Sequence, residues 1–351
     1  MKQKKIVFLF GGPGAEHEVS VATAKSALPK FDAQYSILPV FITKENTWVA
    51  SQEYIPPAES WAVAQKLITQ SGIAQDVAID MIEHTDPYVV FIGLHGTYGE
   101  DGTLQALLES HGLAFTGSNS EASSLAMDKP KVLQILQDEE ITVPEFLELT
   151  SEMPEGAALE FGHYHGFPVV VLPADSGSSV GVTIVRNQEQ LPMAIDTARQ
   201  YSDRILLSQF IPGREVSCGM LVTDKNELTA LPPTELIPNE NYEFFDYDAK
   251  YKPGATKEIT PPHMDEAIIA EIKSLARRVH HLLEADGYSR TDMIVGEDGK
   301  IYVLELNTLP GLTETSILPQ QAAAFGLNFT DFLTTICENV DRSSREYLTA
   351  V

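Results

Sequence analysis

The stretch YSRTDMIVGEDGKIYVLELNTLPGLTETSILP, residues 288–319, indicates the fold of this chain more clearly than any other segment. Residues 293–295 and 300–306 are rich in β-branched and apolar side chains, which favour β-strands. The sequence Gly-Glu-Asp-Gly at 296–299 separates the two runs and is typical of a turn. The stretch therefore predicts an antiparallel β-hairpin with a four-residue turn.

A turn of four residues determines the predicted register of this hairpin and the two faces that it presents. Three cross-strand pairs follow from it: Val295 with Lys300, Asp292 with Val303, and Arg290 with Glu305. Side chains alternate along a strand, and directly opposite residues share a face. One face should therefore carry the polar set, which consists of Arg290, Asp292, Glu305 and Asn307. The other face should carry Tyr302, Leu304 and Leu306.

The polar set has the chemistry of a site for a cation and phosphate. It combines three oxygen-bearing side chains with one guanidinium. Mg²⁺ prefers oxygen ligands and is usually held by one or two carboxylates together with substrate phosphates. A solvated face with a surface ion pair would show the same pattern, so the rest of the chain has to decide between the two interpretations.

Composition limits the classes of protein to which the chain can belong. Its 351 residues predict two or three subdomains. A formal net charge of −26 argues against nucleic acid or an anionic membrane as a partner. The two cysteines, Cys218 and Cys337, form neither a disulfide framework nor a zinc motif, which predicts a reducing cytoplasm. The apolar run at 6–10 is too short for a signal sequence, and no run is long enough to span a bilayer.

Two segments near the start of the chain combine a strand, a glycine-rich loop and a helix. Strands are predicted at 6–10 and 88–93, and the arrangement indicates a Rossmann-like domain. A dinucleotide site is not expected, because His17 stands where the G-x-G-x-x-G motif needs its third glycine. Glu16 and His95 should lie at the carboxyl edge of the sheet, where such sheets bind ligands. An acid favoured by the helix dipole explains Glu16 equally well.

The middle of the chain contains further signs of an anion site. Lys129 precedes a helix predicted at 131–140, where a lysine is electrostatically misplaced unless an anion lies nearby. The loop PADSGSSVG at 173–181 offers backbone N–H groups and hydroxyls to phosphate oxygens. The aromatic stretch at 238–262 has the character of a lid. The histidines around Tyr164 lack metal-site spacing and are interpreted as a surface loop.

Seven segments in order along the chain resemble the D-alanine–D-alanine ligase family of the ATP-grasp superfamily. They are GGPGAEHEVS (11–20), LHGTYGEDGTLQ (94–105), MDKPK (127–131), DSGSSVGV (175–182), PGREVS (212–217), DYDAKY (246–251) and RTDM…LELNTLPGLTETSILP (290–319). The resemblance implies an α/β (α+β) fold of the ATP-grasp type with a Rossmann-like N-terminal domain and two further α/β subdomains. The implied boundaries are 1–122, 123–212 and 213–345, with a lid loop at 240–260.

The resemblance also implies a reaction. One D-alanine carboxylate attacks the γ-phosphate of ATP to give an acyl phosphate, and the amine of a second D-alanine then displaces phosphate. The product, D-alanyl-D-alanine, is a peptidoglycan precursor. ATP as a substrate, two Mg²⁺ ions with Mn²⁺ as an alternative, and a cytoplasmic homodimer are implied in the same way. Neither nucleic acid nor a membrane is an expected partner.

The family motifs assign roles to individual residues by position. The implied catalytic residues are Glu16, Ser178, Tyr251, Arg290 and Gly311. The implied D-alanine-binding residues are Glu16, His95, Arg290, Ser316 and Ile317. The implied ATP-binding residues are Lys129, Ser179, Phe210, Ile211, Glu215, Lys250 and Asn307. The implied metal ligands are Asp292, Glu305 and Asn307. The lid residue Tyr251 favours a dipeptide over D-alanyl-D-lactate, because the related depsipeptide-forming ligases have a histidine in that region.

Three departures from the family pattern all fall on the nucleotide side. Leu172 stands where the family has a phosphate-binding lysine, Ser208 where it usually has an acid near the adenine, and Leu133 where a second lysine is common. These changes leave alternatives to an active D-alanine ligase. One is a nucleotide-impaired paralogue that binds D-alanine or the dipeptide without efficient catalysis. Another is a ligase for a related amino acid pair.

Overall fold

The computed structural model describes residues 3–150, 153, 156–177, 180–223, 227–239 and 254–340. The strands in these residues are β1 (Lys4–Gly11), β2 (Tyr35–Ile42), β3 (Trp48–Ala50), β4 (Val89–Ile92), β5 (Phe146–Leu149), β6 (Val169–Pro173), β7 (Thr183–Val185), β8 (Ile205–Gln209), β9 (Gly213–Thr223), β10 (Glu227–Ala230), β11 (Thr234–Pro238), β12 (Thr256–Ile259), β13 (Tyr288–Gly296) and β14 (Ile301–Asn307). The helices are α1 (His17–Ala27), α2 (Pro57–Leu67), α3 (Gln75–His84), α4 (Thr103–Ser110), α5 (Ser120–Met127), α6 (Lys129–Asp138), α7 (Ala157–His165), α8 (Leu191–Ala198), α9 (Glu266–Leu282), α10 (Ile317–Phe325) and α11 (Phe329–Glu338).

These strands form three sheets. The N-terminal sheet has the order β3-β2-β1-β4, with β1 parallel to both β2 and β4. The central sheet has the order β5-β8-β6-β7 and is antiparallel. The C-terminal sheet has the order β12-β11-β9-β13-β14, with β10 paired to β9, and is also antiparallel. The edge strand β3 pairs antiparallel with β2, and the three parallel strands β2, β1 and β4 confirm the predicted Rossmann-like opening.

Three buried cores hold the sheets and helices together, and the first two include side chains of a neighbouring sheet, such as Leu221 of β9 in the first and Leu206 of β8 in the second. The first core packs β1, β2 and β4 against their helices and includes Phe332 from α11. The second core joins the C-terminal sheet to α6 and α9, through residues such as Leu136, Met293 and Val279. The third core lies between the central sheet and helices α7 and α8, around Phe161. The predicted subdomain boundary at 122/123 falls within α5 and the one at 212/213 falls between β8 and β9, and both boundaries stay predictions.

The predicted four-residue turn of the β13–β14 hairpin is wrong by one residue. The hairpin closes at Gly296 and Lys300, where the N–H of Gly296 donates to the carbonyl of Lys300 at 2.8 Å, so that residues 297–299 form the loop. Val295 consequently pairs with Ile301 rather than with Lys300. Turn composition does not distinguish the two loop lengths, since glycine suits both.

A β-bulge in the same hairpin adds a second one-residue shift. Asp292 pairs with Glu305 rather than with Val303, and Arg290 pairs with Asn307 rather than with Glu305. The two shifts move the register by an even number of residues, and side chains alternate with a period of two. The polar set therefore shares one face as predicted, although the predicted pairs were wrong.

The bulge also changes the sides on which neighbouring side chains lie. Val303 is buried in the second core instead of facing the polar set. Tyr302 pairs with Ile294, and Ile294 lies on the same strand face as Asp292. Tyr302 therefore lies on the side of the polar set, and the prediction that it lies on the opposite side is wrong. Leu306 packs in the second core as predicted.

One other local prediction was wrong. Residues 163–165 form the last turn of α7 rather than a loop, although Tyr164 is 85% exposed as a surface residue should be. Strand β9 begins at Gly213, directly after Pro212, although glycine is a weak strand former. The chain there pairs with β13, which overrides the weak strand propensity of glycine and arginine.

Both cysteines are buried free thiols, Cys218 in β9 and Cys337 in α11. Burial raises the pKa of the Cys218 thiol to about 12, which suppresses the reactive thiolate at neutral pH. Within the described part of the chain, no helix combines the length and apolar character needed to cross a bilayer.

The carboxylate of Glu338 joins α11 to the amino edge of the N-terminal sheet. The hydroxyls of Tyr35 and Tyr88 donate to its two oxygens at 2.5 and 2.7 Å, and the ammonium of Lys4 also donates to it. Burial alone would raise the pKa of Glu338, but the hydrogen bonds from these three donors lower it below the ordinary carboxyl value. The C-terminal helix is therefore attached where β1, β2 and β4 begin.

We predict that Glu338→Gln lowers the free energy of unfolding by about 1–3 kcal/mol at pH 7, because it removes the charge that three donors share. Because the folded pKa of Glu338 is depressed, its stabilisation is present above the ordinary value of 4.5 and is lost as pH falls through the folded pKa. The difference between variant and parent should therefore shrink below pH 4.5. Urea unfolding monitored by circular dichroism measures both effects.

Glu314→Gln is the matched control for this variant. Its carboxylate forms an exposed ion pair with Lys30 at 3.5 Å, and such pairs contribute little. Equal unfolding free energies of the Glu338 variant and the parent at pH 7 would contradict the role given to this carboxylate.

Candidate active site

Two adjoining cavities open beside the polar set of the β13–β14 hairpin. The large cavity, about 520 Å³, is lined by Glu16, His95, Glu100, Arg290, Asn307, Gly311, Ser316 and Ile317 among others. The small cavity, about 190 Å³, lies between the central and C-terminal sheets and is lined by Leu172, Ser208, Phe210, Ile211, Glu215, Asp292 and Leu304 among others. Lys129 and Glu305 line both cavities and so mark their junction.

The hairpin brings its guanidinium and its carboxylates into direct contact. Arg290 donates from Nε and Nη2 to the two oxygens of Asp292, at 2.8 and 2.7 Å. The hydroxyl of Ser217 donates to Oδ1 of the same carboxylate at 2.5 Å. Arg290 and Asp292 are both buried. Leu304 was predicted on the opposite face, but the bulge places it in the wall of the small cavity beside Glu305.

Lys129 occupies the junction through contacts on both sides. Its ammonium donates to the carbonyl of Ser176 at 2.9 Å and lies 3.1 Å from Oε2 of Glu305. These partners account for a lysine at the first position of α6, where the helix dipole disfavours positive charge. The ammonium is therefore held where a ligand in either cavity can reach it.

The N-terminal sheet supplies the opposite wall of the large cavity. His95 is buried, with Nε2 2.8 Å from the hydroxyl of Thr23 and Nδ1 3.2 Å from the carbonyl of Leu309. Burial lowers the pKa of His95, against the opposing effect of nearby Glu16, and this favours a neutral imidazole. Gly96 has φ +67°, and a Cβ there would lie 2.0 Å from Oε2 of Glu16, so glycine leaves the room that this carboxylate occupies.

The loop after β14 closes the far end of the large cavity. Ser316 caps α10, and its hydroxyl accepts from the N–H of Thr313 at 3.2 Å. A Cβ at Gly311 would come within 2.9 Å of that hydroxyl, so the wall depends on glycine there. Ile317 begins the helix, whose positive dipole end faces the cavity wall.

The small cavity is apolar where charge was expected. Leu172 and Ser208 line it from the central sheet, and Leu133 lines it from α6, so all three departures from the family pattern lie on its wall. Of the basic residues that the structure describes, Lys129 alone lines this cavity. The predicted ATP-binding residues Ser179 and Lys250, and the predicted catalytic residues Ser178 and Tyr251, lie outside the described residues.

Two acids in the large cavity were missed by the sequence reasoning. Glu100 is 7% exposed, and burial followed by the charge of nearby Glu16 raises the pKa of Glu100 to about 8. Glu258 on β12 lines the same cavity, and burial raises its pKa as well. Glu100 belongs to the glycine-rich loop that supplies His95, so its position at the same strand edge was a usable signal. Glu258 lies near the end of the aromatic stretch at 238–262, where no neighbouring motif marked it as a site residue.

Comparisons with known proteins agree with this geometry. The family model for the D-Ala–D-Ala ligase N-terminus matches residues 5–118, and the model for the C-terminus matches residues 135–338. A D-alanine–D-alanine ligase of Desulfotalea psychrophila is 44% identical over 255 residues, which cover 71% of this chain and 76% of the relative.

Solved structures of ligases have the same overall fold. The crystal structure of the VanG D-Ala:D-Ser ligase from Enterococcus faecalis is 27% identical, with a TM-score of 0.80 over 96% of this chain and 99% of that one. The Bacillus anthracis D-alanine–D-alanine ligase, crystallised with ATP, is 28% identical, with a TM-score of 0.75 over 98% and 99% of the two chains. The chain therefore has the ATP-grasp fold and belongs to the D-alanine–D-alanine ligase family.

Proposed function

We propose that this chain joins two molecules of D-alanine to D-alanyl-D-alanine with conversion of ATP to ADP and phosphate, as a step in the synthesis of peptidoglycan precursors. The observation that carries the proposal is the junction of the two cavities at Lys129 and Glu305. A nucleotide in the small cavity would place its terminal phosphate at this junction. Amino acids in the large cavity would then lie within reach of that phosphate.

The first step is phosphoryl transfer. The carboxylate of the first D-alanine attacks the γ-phosphorus of ATP. The bond between this phosphorus and the oxygen that bridges it to the β-phosphate breaks, so that ADP departs and an acyl phosphate of D-alanine remains. Glu16 binds the ammonium of this D-alanine, and neutral His95 lies near its carboxylate. Lys129 holds the transferring phosphate from the junction. Positioning and charge stabilisation supply most of the catalysis in such a transfer.

The second step is acyl transfer. The amine of a second D-alanine, bound near Ser316 and Ile317, attacks the carbonyl carbon of the acyl phosphate. A tetrahedral intermediate forms and then releases phosphate to leave the amide. Arg290 and the N–H of Gly311 stabilise the negative oxygen of this intermediate, in the manner of an oxyanion hole. Phe210, Ile211 and Glu215 hold the nucleoside.

The donor set of the hairpin fits magnesium. Asp292 and Glu305 lie directly opposite each other on neighbouring strands, and Asn307 follows on the same face. Asp292 accepts from Arg290 and Ser217, but a carboxylate has about four lone-pair sites, so donor capacity remains for a cation. When bound there, Mg²⁺ would neutralise charge on the phosphate oxygens. Two such ions and a homodimer are part of the proposal.

One observation favours a second candidate function. Because Leu172 contributes no charge to the small cavity, the chain could bind amino acid or dipeptide with little turnover of ATP. The similarity to the VanG D-Ala:D-Ser ligase supports the other alternative, a ligase for a related amino acid pair. The intact polar set favours an active ligase over a silent one.

We predict that the unmodified chain releases phosphate from Mg·ATP only when D-alanine is present. Leu172→Lys should lower KM for ATP about ten- to a hundredfold, since a charge-assisted hydrogen bond contributes roughly 1.5–3 kcal/mol. Val170→Lys, two residues earlier and in the wall of the same cavity, is the matched control and should not improve KM. If neither the parent nor the Leu172 variant releases phosphate, while both still bind D-alanine, the result would favour the second candidate function.

A second prediction concerns the hairpin acids. Asp292→Asn should lower kcat roughly 10²- to 10³-fold, because charge stabilisation by a bound metal ion contributes several kcal/mol. Asp298→Asn, in the exposed turn of the same hairpin, should change kcat less than about twofold, since exposed sites contribute little. ADP formation measured across a range of Mg²⁺ concentrations distinguishes them. An Asp292 variant with unchanged kcat and unchanged Mg²⁺ dependence would exclude the proposed metal site.

A third prediction concerns the N-terminal wall. Glu16→Gln should raise KM for D-alanine about tenfold or more, because it removes the charge that meets the ammonium group. Glu18→Gln is the control, since its carboxylate is exposed and lies 3.2 Å from Lys44. Initial rates at saturating ATP test the difference, and equal KM values for the two variants would remove Glu16 from the proposed amino acid site.

A further inference from the structure

The small cavity depends on the placement of one lysine. Lys129 is the basic side chain that the described residues contribute to its wall, and the same ammonium reaches the large cavity. A polyphosphate in a chain of net charge −26 needs local positive charge to offset the general field. Within the described residues, the contacts that hold Lys129 in place therefore decide where the positive charge of this wall lies.

An ion pair lies immediately next to Lys129. Asp128 accepts from both terminal nitrogens of Arg204, at 3.0 and 2.9 Å, in a bidentate arrangement. The Nε of the same guanidinium donates to Glu148 on β5 at 2.6 Å. Burial alone would raise the pKa of Asp128, but hydrogen bonds from Arg204 and Lys131 lower it to about 2, so the carboxylate stays charged.

A chain of backbone hydrogen bonds runs parallel to this ion pair. The N–H of Lys129 donates to the carbonyl of Ala174 at 3.0 Å, and the N–H of Ala174 donates to the carbonyl of Arg204 at 2.9 Å. Arg204 is thus joined to Asp128 by its side chain and to Lys129 through Ala174. The carbonyl of Ser176, two residues further along, receives the lysine ammonium itself.

These contacts connect the two sheets that face each other across the small cavity. Residues of α6, such as Leu136, are buried in the second core with the C-terminal sheet. Glu148 belongs to β5 of the central sheet and Arg204 immediately precedes β8 of the same sheet, whose helices pack in the third core. The ion pair therefore ties an element of one sheet's core to the end of the other sheet, beside the loop that begins at Ala174.

We propose that Asp128 and Arg204 are positioning residues for nucleotide use, a role that rests on the proposed function and goes beyond it. They set the spacing of the two sheets across the small cavity and hold the Lys129 ammonium at the junction. The ordinary alternative is a surface ion pair of little consequence. The geometry argues against that alternative, because Asp128 is only 11% exposed and the contact is bidentate.

The test compares Arg204→Gln, Arg204→Lys, Asp128→Asn and the double variant Asp128→Asn/Arg204→Gln with the parent. Measurements are the Kd for ADP by calorimetry, KM for ATP, KM for D-alanine and the midpoint of thermal unfolding. Arg204→Gln should raise KM for ATP and Kd for ADP about tenfold, with KM for D-alanine changed less than about twofold. Arg204→Lys should give a smaller rise, since lysine cannot form the two-pronged contact.

The double variant and a control complete the design. Because the two residues act as one unit, the double variant should be no worse than the more impaired single variant. Arg278→Gln is the matched control: its guanidinium forms an exposed pair with Glu139 at 3.8 Å, away from both cavities, and should leave all four measurements unchanged.

Two outcomes would overturn the proposal. One is a folded Arg204→Gln variant with unchanged KM for ATP and unchanged Kd for ADP. The other is an equal rise of both KM values together with a lowered unfolding midpoint, which a merely structural ion pair would produce. Failure of the proposed function is distinguishable from both: if the parent shows no D-alanine-dependent turnover, weaker ADP binding by Arg204→Gln still supports the positioning role.

Discussion

The pairing of Asp292 with Glu305 across the β13–β14 hairpin is the constraint on which the rest of the site depends. It requires both closure of the hairpin at Gly296 and Lys300 and the bulge, since either feature alone would shift one strand by a single residue relative to this pairing. Without the bulge, the single-residue shift would turn Glu305 and Asn307 toward the second core. Burying unpaired carboxylates is expensive. Burial of the apolar side chains in the second core and placement of the polar side chains at the cavities therefore favour the same register.

Acidic groups dominate the space around this pairing. Glu16, Glu18 and Glu305 line the large cavity, against Lys129 and Arg290 as the basic side chains that the described residues contribute, whereas Glu100 with its pKa of about 8 adds little charge at neutral pH. Much of the positive charge is already engaged, because Arg290 contacts Asp292 and Lys129 contacts Glu305. Such a site has room for cationic groups from its ligands. The ammonium groups of amino acids and a divalent ion that carries phosphate supply that charge, which agrees with the proposed reaction.

How much of this could be read from the sequence depends on the range of the interactions involved. Strands β1 and β4 are continuous apolar runs that end at Gly11 and just before Gly93, and their local pattern was enough to predict them. The hairpin was predicted correctly as an element, but its register was predicted wrongly. The register depends on the bulge, and the bulge depends on the packing of Val303 in a core formed with α6 and α9. Arg204 and Asp128 are 76 residues apart, and no local pattern marks them as partners.

The position of Leu172 shows how a loss of charge can be tolerated by the fold. Its side chain packs at the edge of the second core, and its strand partner Leu206 is buried in that core, so leucine costs the structure nothing. The consequence falls on the ligand. With an apolar wall on the central sheet, a polyphosphate would be held from the junction by Lys129 and from the C-terminal sheet by a cation on the hairpin acids. Both supports meet at Glu305. In the proposed function, the spacing between the two sheets and the placement of Lys129 therefore govern nucleotide binding.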